Sequence, residues 1–211
     1  MISIAVARIY PGAFMAALEW PEDVCPASLT WRPESNTKTF RSPFNGSSQT
    51  ARFPGTRWVC SLTFNNLTDE KSRRIDALVA SLDGEYGRVK VRDWGRSGRA
   101  PAGAPVIDGA NQTGTQIQSK GWTPGAVVLR QGDYFTVNDE LKMVTADVTS
   151  AANGTAMIVF APMLRSSPPA NAAIEVAKPY GIFKLKDNQQ GAGNRVPGVF
   201  TSYTLELEEA F

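Results

Sequence analysis

One segment of the chain has the hydrophobic period of an amphipathic α-helix. Four apolar residues recur at i, i+3, i+4 and i+7: Ile75, Leu78, Val79 and Leu82. Thr68 is placed to cap the N-terminus of this helix, and Asp69 and Glu70 lie where their charges suit the helix dipole. Asp83-Gly84 is a typical helix end. The pattern predicts one helix over residues 68–82.

Most of the remaining chain alternates apolar and polar residues with period two, which predicts β-strands. Before and after the helix the predicted strands cover residues 31–40, 49–53, 57–64 and 88–94. Nearer the C-terminus they cover residues 173–176, 181–186 and 200–208, with a loop over 187–197. The fold class predicted from these patterns is mainly β with one amphipathic helix.

Residues 125–165 predict a compact β-meander, because the turns between its strands are marked by their residues. Gly132-Asp133 precedes a strand at 134–137, and Asn138-Asp139-Glu140 reverses the chain into a strand at 141–144. Asn153-Gly154, a dipeptide that tolerates positive φ, leads into an apolar strand at 155–160.

Two segments with linker composition flank this meander. Residues 95–105 are rich in glycine, serine and proline, and Ser166-Ser167-Pro168-Pro169 follows the last strand. We therefore predict a discontinuous β-sandwich domain made of residues 1–97 and 170–211, with the helix at 68–82. Residues 98–169 are predicted to form an inserted small β-barrel or sandwich domain.

A charge pattern suggests how the two parts of the first domain meet. Residues 88–92 alternate basic and apolar side chains, and residues 204–208 alternate acidic and apolar ones. Paired antiparallel, these strands would place opposite charges side by side. The alternative is that both strands expose solvated polar faces. Under either interpretation both strands are half-buried.

The composition excludes several kinds of chemistry. The 211 residues include no histidine, which removes Ser-His-Asp and Cys-His catalysis and histidine-bound zinc. The two cysteines, Cys25 and Cys60, are too few for a cysteine zinc site, and the alternation around Cys60 predicts that it packs in the core. A net charge of +2 does not indicate specific nucleic-acid binding. We expect no enzyme activity and no cofactor.

Neither a membrane span nor a secretory signal is expected. The sequence has no run of about 18 apolar residues. The apolar residues 1–20 lack a basic start and are interrupted by Pro11-Gly12.

Carboxylates were considered as metal ligands and as catalytic pairs. Four lie in the meander: Asp133, Asp139, Glu140 and Asp147. Their spacing is not that of a calcium loop, and acidic residues at turns usually serve turn geometry. Five others could support polysaccharide hydrolysis without histidine: Glu19, Glu22, Asp23, Glu85 and Asp93. No spacing selects a pair among them. We predict no metal-binding and no catalytic residues.

Aromatic and basic residues supply the remaining candidates for binding. Five tryptophans could stack on sugar rings: Trp20, Trp31, Trp58, Trp94 and Trp122. Trp58 follows core alternation, whereas Trp122 stands in a loop-like context and is the best candidate for carbohydrate contact; the alternative is that it packs under its own loop. Basic residues scatter over the early strands: Lys38, Arg41, Arg52 and Arg57. Solvated strand faces or subunit contacts explain them better than a DNA-conducting lumen, which would avoid tight phosphate contacts.

The order of these motifs resembles a known family. The meander, from Gly132-Asp133 to the strand after Asn153-Gly154, resembles an accessory β-domain of phage tail proteins. The first part has Gly55-Thr56-Arg57-Trp58 entering a strand, then the helix, then a strand ending Arg92-Asp93-Trp94. It resembles the N-terminal domain of distal tail proteins, the baseplate ring components of siphophages. Some other tail or baseplate adaptor would fit the same residues.

The resemblance implies a structural role. Proteins of that family form a hexameric ring between the tail tube and the tip or hub proteins, and a second β-domain projects outward. We therefore expect a homo-hexamer in the virion tail, assembled in the host cytoplasm, with subunit contacts in residues 1–20 and in the loop 187–197. A carbohydrate-binding tail module that contacts a host-surface glycan is the alternative. A carboxylate-based polysaccharide hydrolase is less favoured.

Overall fold

A computed structural model describes residues 16–196 and 200–210, and these residues are mainly β with one helix. The predicted fold class is thus confirmed. In chain order the first elements are β1 (Ser28–Glu34), β2 (Thr37–Arg41), β3 (Ser48–Arg52), β4 (Arg57–Leu67), α1 (Asp69–Leu82) and β5 (Val89–Val91).

The strands β6 to β12 follow in the middle of the chain. They are β6 (Gly103–Ile107), β7 (Gln116–Trp122), β8 (Val127–Leu129), β9 (Tyr134–Val137), β10 (Glu140–Val144), β11 (Val148–Thr149) and β12 (Ala156–Ala161). The last four strands are β13 (Ile174–Glu175), β14 (Gly181–Leu185), β15 (Asn194–Arg195) and β16 (Thr201–Glu209).

The first sheet joins both ends of the described chain in the antiparallel order β1-β4-β16-β14-β5, with β15 beside β16. Alternation in β4 turns one set of side chains into the core: Trp58, Cys60, Leu62 and Phe64. Helix α1 adds Ile75, Leu78 and Leu82 to the same core. The prediction that Cys60 is a core residue is confirmed, and burial raises the pKa of its thiol.

Helix α1 begins and ends where the sequence indicated. Thr68 occupies the N-cap position with an extended backbone, although its side chain makes no capping hydrogen bond. Asp83 adopts the left-handed conformation that ends the helix. The buried Ser72 hydroxyl lies 2.9 Å from the hydroxyl of Tyr203 on β16, which joins the helix to the sheet.

Among residues 16–196 and 200–210, no helix is long and apolar enough to cross a membrane.

Of the two interpretations of residues 88–92 and 204–208, direct pairing of the strands is wrong, because β14 lies between β5 and β16. The opposite charges are instead matched between β14 and β16. The ammonium group of Lys184 is 3.1 Å from the Glu208 carboxylate, and that of Lys186 is 3.1 Å from Glu206. Both strands are half-buried as expected, with Val89 and Leu205 in the core and the alternate positions more exposed.

The second sheet is a nearly closed six-stranded barrel in the order β13-β9-β10-β12-β7-β6. A bridge between Val106 and Ala173 brings the first and last of these strands together. The ring of Phe135 contacts that of Phe160 edge to face inside the barrel. Strands β8 and β11 form a small separate pair. The predicted meander strands at 134–137, 141–144 and 155–160 correspond to β9, β10 and β12.

Several predicted boundaries differ from the structure. Residues 31–40 are two strands rather than one, because the chain leaves the first sheet after β1 and starts a separate hairpin, β2–β3. Strand β13 falls within the segment assigned to the first domain, but it pairs with β9 of the barrel. The loop 187–197 contains β15. Of the predicted contact segment 1–20, only residues 16–20 are described.

The predicted linker 95–105 is not a free segment. Its last residues belong to β6, and the Arg99 N–H donates to the Val176 carbonyl at 3.0 Å. A Cβ added at Gly98 would come within 1.9 Å of the Ala177 oxygen. Glycine therefore permits a close backbone approach here, and the chain needs it for packing rather than for flexibility.

The two sheets meet through aromatic packing and a polar network. The indole N–H of Trp58 donates to the Leu141 carbonyl at 3.0 Å, and the Trp58 ring contacts that of Tyr134. Tyr134 and Leu141, although on barrel strands, belong to the core of the first sheet. The guanidinium of Arg165 lies 2.6 Å from the carboxylate of Glu209.

Candidate functional site

An open cleft of about 540 Å³ lies at the junction of the two sheets. Three segments form it: the chain before β1, the end of β5 with the residues that follow, and residues 175–180 after β13. The Leu18 N–H donates to the Arg88 carbonyl at 2.7 Å, and the Lys90 N–H donates to the Leu18 carbonyl at 2.9 Å. These bonds hold the first segment along the edge of β5.

Aromatic rings form the apolar part of the cleft. The ring of Trp20 stacks on Phe64 with centroids 5.8 Å apart and meets Trp94 edge-on at 5.3 Å. The indole N–H of Trp20 donates to the Val24 carbonyl at 2.8 Å, which fixes the ring. Tyr180 also borders the cleft. The cleft is therefore walled by rings that the core and the backbone hold in place.

Most charged groups of the cleft have partners. The ammonium group of Lys90 is 2.6 Å from the Glu19 carboxylate and 4.9 Å from the centre of the Tyr180 ring. The Glu175 carboxylate accepts from the backbone N–H groups of residues 177 and 178 at 2.7 and 2.8 Å. Burial, with the hydrogen bond that Tyr180 donates to Asp139 at 2.8 Å, raises the pKa of the Tyr180 phenol.

Arg92 differs from these groups. Its guanidinium carbon lies 5.8 Å from the centre of the Trp94 ring, and the side chain is half-buried. Within the described part of the chain, Arg92 makes no ion pair. Among the described residues, Arg92 is thus the cation of the cleft that has no carboxylate within ion-pair distance, while the ammonium group of Lys178 is 4.0 Å from the Glu22 carboxylate.

A second feature is the hairpin β2–β3, which is separate from both large sheets. Its strands pair from Thr37 opposite Arg52 to Arg41 opposite Ser48. Every residue of the two strands is exposed except Ala51, which is half-buried. The hairpin is therefore regular in its backbone while almost none of its side chains is covered by the described chain.

The exposed side chains of this hairpin include aromatic and basic ones among small polar residues. Phe44 at the tip is 96% exposed and Phe40 is 59% exposed. Residues 37–53 carry three cations, Lys38, Arg41 and Arg52, and no carboxylate. The fourth residue of the predicted basic scatter, Arg57, lies elsewhere and forms an ion pair with Glu208 at 3.2 Å.

The predicted carbohydrate contact, Trp122, is in the core of the barrel. It ends β7, is only 3% exposed, and donates its indole N–H to the Ser119 hydroxyl at 2.8 Å. Its loop-like sequence context is misleading because β7 continues through Gly121, where the backbone closely approaches Ala104. A ring buried in this way has no face open to a sugar. Of the other tryptophans, Trp20 and Trp94 border the cleft.

The acidic residues considered as catalytic pairs are dispersed. Only Glu19 and Glu22 border the same cleft. Asp23 pairs with Arg74 at 2.5 Å, and this guanidinium lowers the pKa of the Asp23 carboxyl. Glu85 pairs with Lys184 at 2.8 Å.

The four acidic residues of the meander have separate partners too. The Asp133 carboxylate pairs with Arg99 at 2.7 Å, and Asp139 accepts from Tyr180. Glu140 pairs with Lys142, and Asp147 accepts from the Gln131 N–H. No group of three or more potential metal ligands occurs within residues 16–196 and 200–210.

Sequence reasoning missed Lys90, Arg92 and Tyr180 as neighbours of Trp20 and Trp94. The basic alternation over 88–92 is a usable signal for Lys90 and Arg92, but it indicates a basic strand face without showing which segment lies beside it. No known protein family and no curated protein matches this chain.

Proposed function

We propose that this protein is a structural component of a phage tail tip or baseplate, a distal tail protein whose subunits close into a ring of six between the tail tube and the tip proteins. The observation that carries the proposal is the hairpin β2–β3. It is a formed element whose aromatic and basic side chains have no cover in the described chain.

Physical arguments connect this hairpin with assembly. A two-stranded hairpin in water on both faces is only marginally stable by itself. Large exposed aromatic side chains such as Phe44 mark surfaces that other proteins cover. Strand β1 is an end strand of the first sheet, and edge strands are usually shielded or paired. A hairpin that reaches a neighbouring subunit makes a head-to-tail contact, and such contacts close into rings when the rotation allows it.

The resemblance of the motif order to distal tail proteins supplies the particular assembly, and the mainly β fold with one helix agrees with it. A sugar-binding tail module is the second candidate. The observation that favours it is the aromatic cleft, whereas Trp122 is buried. No observation favours a carboxylate hydrolase, because the acidic residues are dispersed and largely paired.

The proposal is tested by a double variant, Phe40→Ser with Phe44→Ser, compared with Tyr86→Ser. Tyr86 is another exposed aromatic residue, 63% exposed, outside the hairpin. We expect the wild type and Tyr86→Ser to enter phage tails during complementation, with the chain at the tail end in electron micrographs. The hairpin variant should remain a folded monomer, by native mass spectrometry and circular dichroism, and be absent from tails.

Trypsin provides a second measurement on the same samples. Arg41 and Arg52 are exposed in the free subunit and should be cut early, whereas assembled rings should protect them. Finding the chain in the capsid, or absent from particles altogether, would overturn the tail assignment. Normal assembly of the hairpin variant would overturn the role of the hairpin.

A further inference from the structure

The cleft between the N-terminal segment and the end of β5 is separate from the hairpin on which the proposal of a ring rests. It lies on elements other than the hairpin, and its walls are held by core contacts of Trp20 and by backbone bonds of Leu18. It is a pre-formed concavity bordered by three aromatic and six charged side chains. Small-ligand sites combine aromatic walls with polar groups that fix the orientation of the ligand.

The charges of the cleft favour an anionic ligand group. Lys90 is neutralised by Glu19, and the Glu175 carboxylate is engaged by two backbone N–H groups. Of the three cations that border the cleft, Lys90, Arg92 and Lys178, only Arg92 makes no ion pair with the described residues. A guanidinium presents paired N–H donors that match the two oxygens of a carboxylate. One carboxylate per bound unit therefore suits this cleft.

The aromatic walls favour a sugar ring as the body of that ligand. The faces of Trp and Tyr rings carry negative charge density, which attracts the positively polarised C–H groups of a saccharide. Trp20, Trp94 and Tyr180 supply such surfaces at the border of the cleft. Glu22, which is exposed on its rim, can accept hydrogen bonds from sugar hydroxyls.

The same acidic residues disfavour nucleic acid. Glu19, Glu22 and Glu175 all border the cleft, and they would repel a backbone with a phosphate at every unit. A polysaccharide with one carboxylate per sugar has its charges farther apart and can place one of them at Arg92 while the others remain in solvent.

We propose that this cleft binds an acidic saccharide, with Arg92 pairing to the sugar carboxylate and with Trp20, Trp94 and Tyr180 contacting the sugar ring. The proposal goes beyond the ring-forming role and does not depend on it.

The test is calorimetric titration of the purified full chain with tetragalacturonate. Its methyl ester, a neutral tetramer of the same shape, is the matched ligand control, and free galacturonate shows whether a single sugar suffices. Arg92→Gln removes the proposed partner of the carboxylate. Arg130→Gln removes one exposed positive charge outside the cleft and is its control. Trp94→Leu removes an aromatic face while keeping an apolar side chain.

We expect saturable binding of tetragalacturonate, with affinity at least tenfold lower for the methyl ester and for Arg92→Gln. Arg130→Gln should bind like the wild type. Trp94→Leu should lose binding while its circular dichroism stays unchanged. The tail-incorporation assay, applied to Arg92→Gln, should show normal assembly, which separates this proposal from the ring.

Three results would overturn the proposal. The first is no saturable binding of tetragalacturonate up to about 10 mM. At that concentration even a site with a dissociation constant of about 10 mM would be half-filled. The second is equal affinity for the acid and its ester, or for wild type and Arg92→Gln. The third is tighter binding of a single-stranded oligonucleotide that Arg92→Gln abolishes, which would assign the cleft to nucleic acid instead.

Discussion

Lys142 and Glu140 form an ion pair that is almost entirely removed from water. The ammonium group is 2.8 Å from the carboxylate and donates to the Met163 carbonyl at 3.0 Å. Burial lowers the pKa of Lys142, and the Glu140 carboxylate opposes that shift. Burial alone would raise the pKa of Glu140. Lys142 and the N–H groups of Arg165 and Ser166 outweigh it, so the pKa of Glu140 lies below its ordinary value.

A pH dependence of stability follows from the lowered pKa of Glu140. Because the carboxylate is favoured in the folded state, it contributes stability that is present above the unfolded pKa of 4.5. That stability is lost as the pH falls below this value toward the folded pKa. We expect the difference in unfolding free energy between wild type and Glu140→Gln to shrink as the pH is lowered below about 4.5.

Urea denaturation at a series of pH values measures this difference. Glu22→Gln is the control, because the Glu22 side chain is 92% exposed and its nearest cation is 4.0 Å away. The difference between wild type and Glu22→Gln should stay nearly constant with pH. An equally constant difference for Glu140→Gln would contradict the account of the buried pair.

At the scale of elements, the segment between β5 and β6 shows how composition can mislead. Glycine, serine and proline predicted a flexible linker, but Gly98 lies against the backbone of residues 176–177. A glycine that allows close backbone approach cannot be distinguished in the sequence from one that provides flexibility. Only the position of the neighbouring segment distinguishes them.

Gly98→Ala tests whether this contact is required. The added methyl group would lie 1.9 Å from the Ala177 oxygen, so one of the two backbone segments must move. We expect a loss of about 1–3 kcal/mol in the free energy of unfolding, typical of overpacking. Ser97→Ala, next to it and exposed, should change stability by less than about 0.5 kcal/mol. Chemical denaturation compares the two variants; equal stabilities would mean that the segment is free to shift.

At the scale of the whole molecule, Arg165 connects the chain after the barrel strand β12 to the first sheet. Its guanidinium pairs with Glu209 of β16 and donates to the Thr56 carbonyl at 3.2 Å. Glu209 also accepts from the backbone N–H of Trp58 at 3.1 Å and is 1% exposed.

The division into domains 1–97 with 170–211 and 98–169 stays a prediction, and limited proteolysis is its test.

Arg165→Ala would leave the Glu209 carboxylate buried without its cation. Removal of one partner from a buried pair costs about 3–5 kcal/mol, so we expect a loss of that size in the free energy of unfolding. Arg73→Ala is the control, because Arg73 and Asp69 form a pair in which the side chains are 77% and 79% exposed. Such surface pairs contribute about 0.5 kcal/mol or less.

Denaturant titration of both variants and the wild type gives these values. Similar losses for Arg165→Ala and Arg73→Ala would show that the contact between the sheets does not depend on this ion pair. A large loss of unfolding free energy in Arg165→Ala alone would support a stabilising role of this ion pair between the sheets.

Local sequence patterns specify the features that depend on near neighbours in the chain. The helix stripe from Ile75 to Leu82, the meander strands around Asn138-Asp139 and the core position of Cys60 follow from periodicity and turn chemistry. Each depends on interactions within a few residues, or on burial of one face, which a local pattern already encodes.

The contacts between distant segments are visible only in the folded chain. The fold inserts β14 between β5 and β16, buries Trp122, and brings Trp20, Arg92 and Tyr180 around one cleft. Strand order and the neighbours of a half-buried side chain depend on how separate segments pack, and alternation shows that a face is covered without showing by what. For this reason the sequence patterns predicted the helix and most strands well and the candidate site poorly.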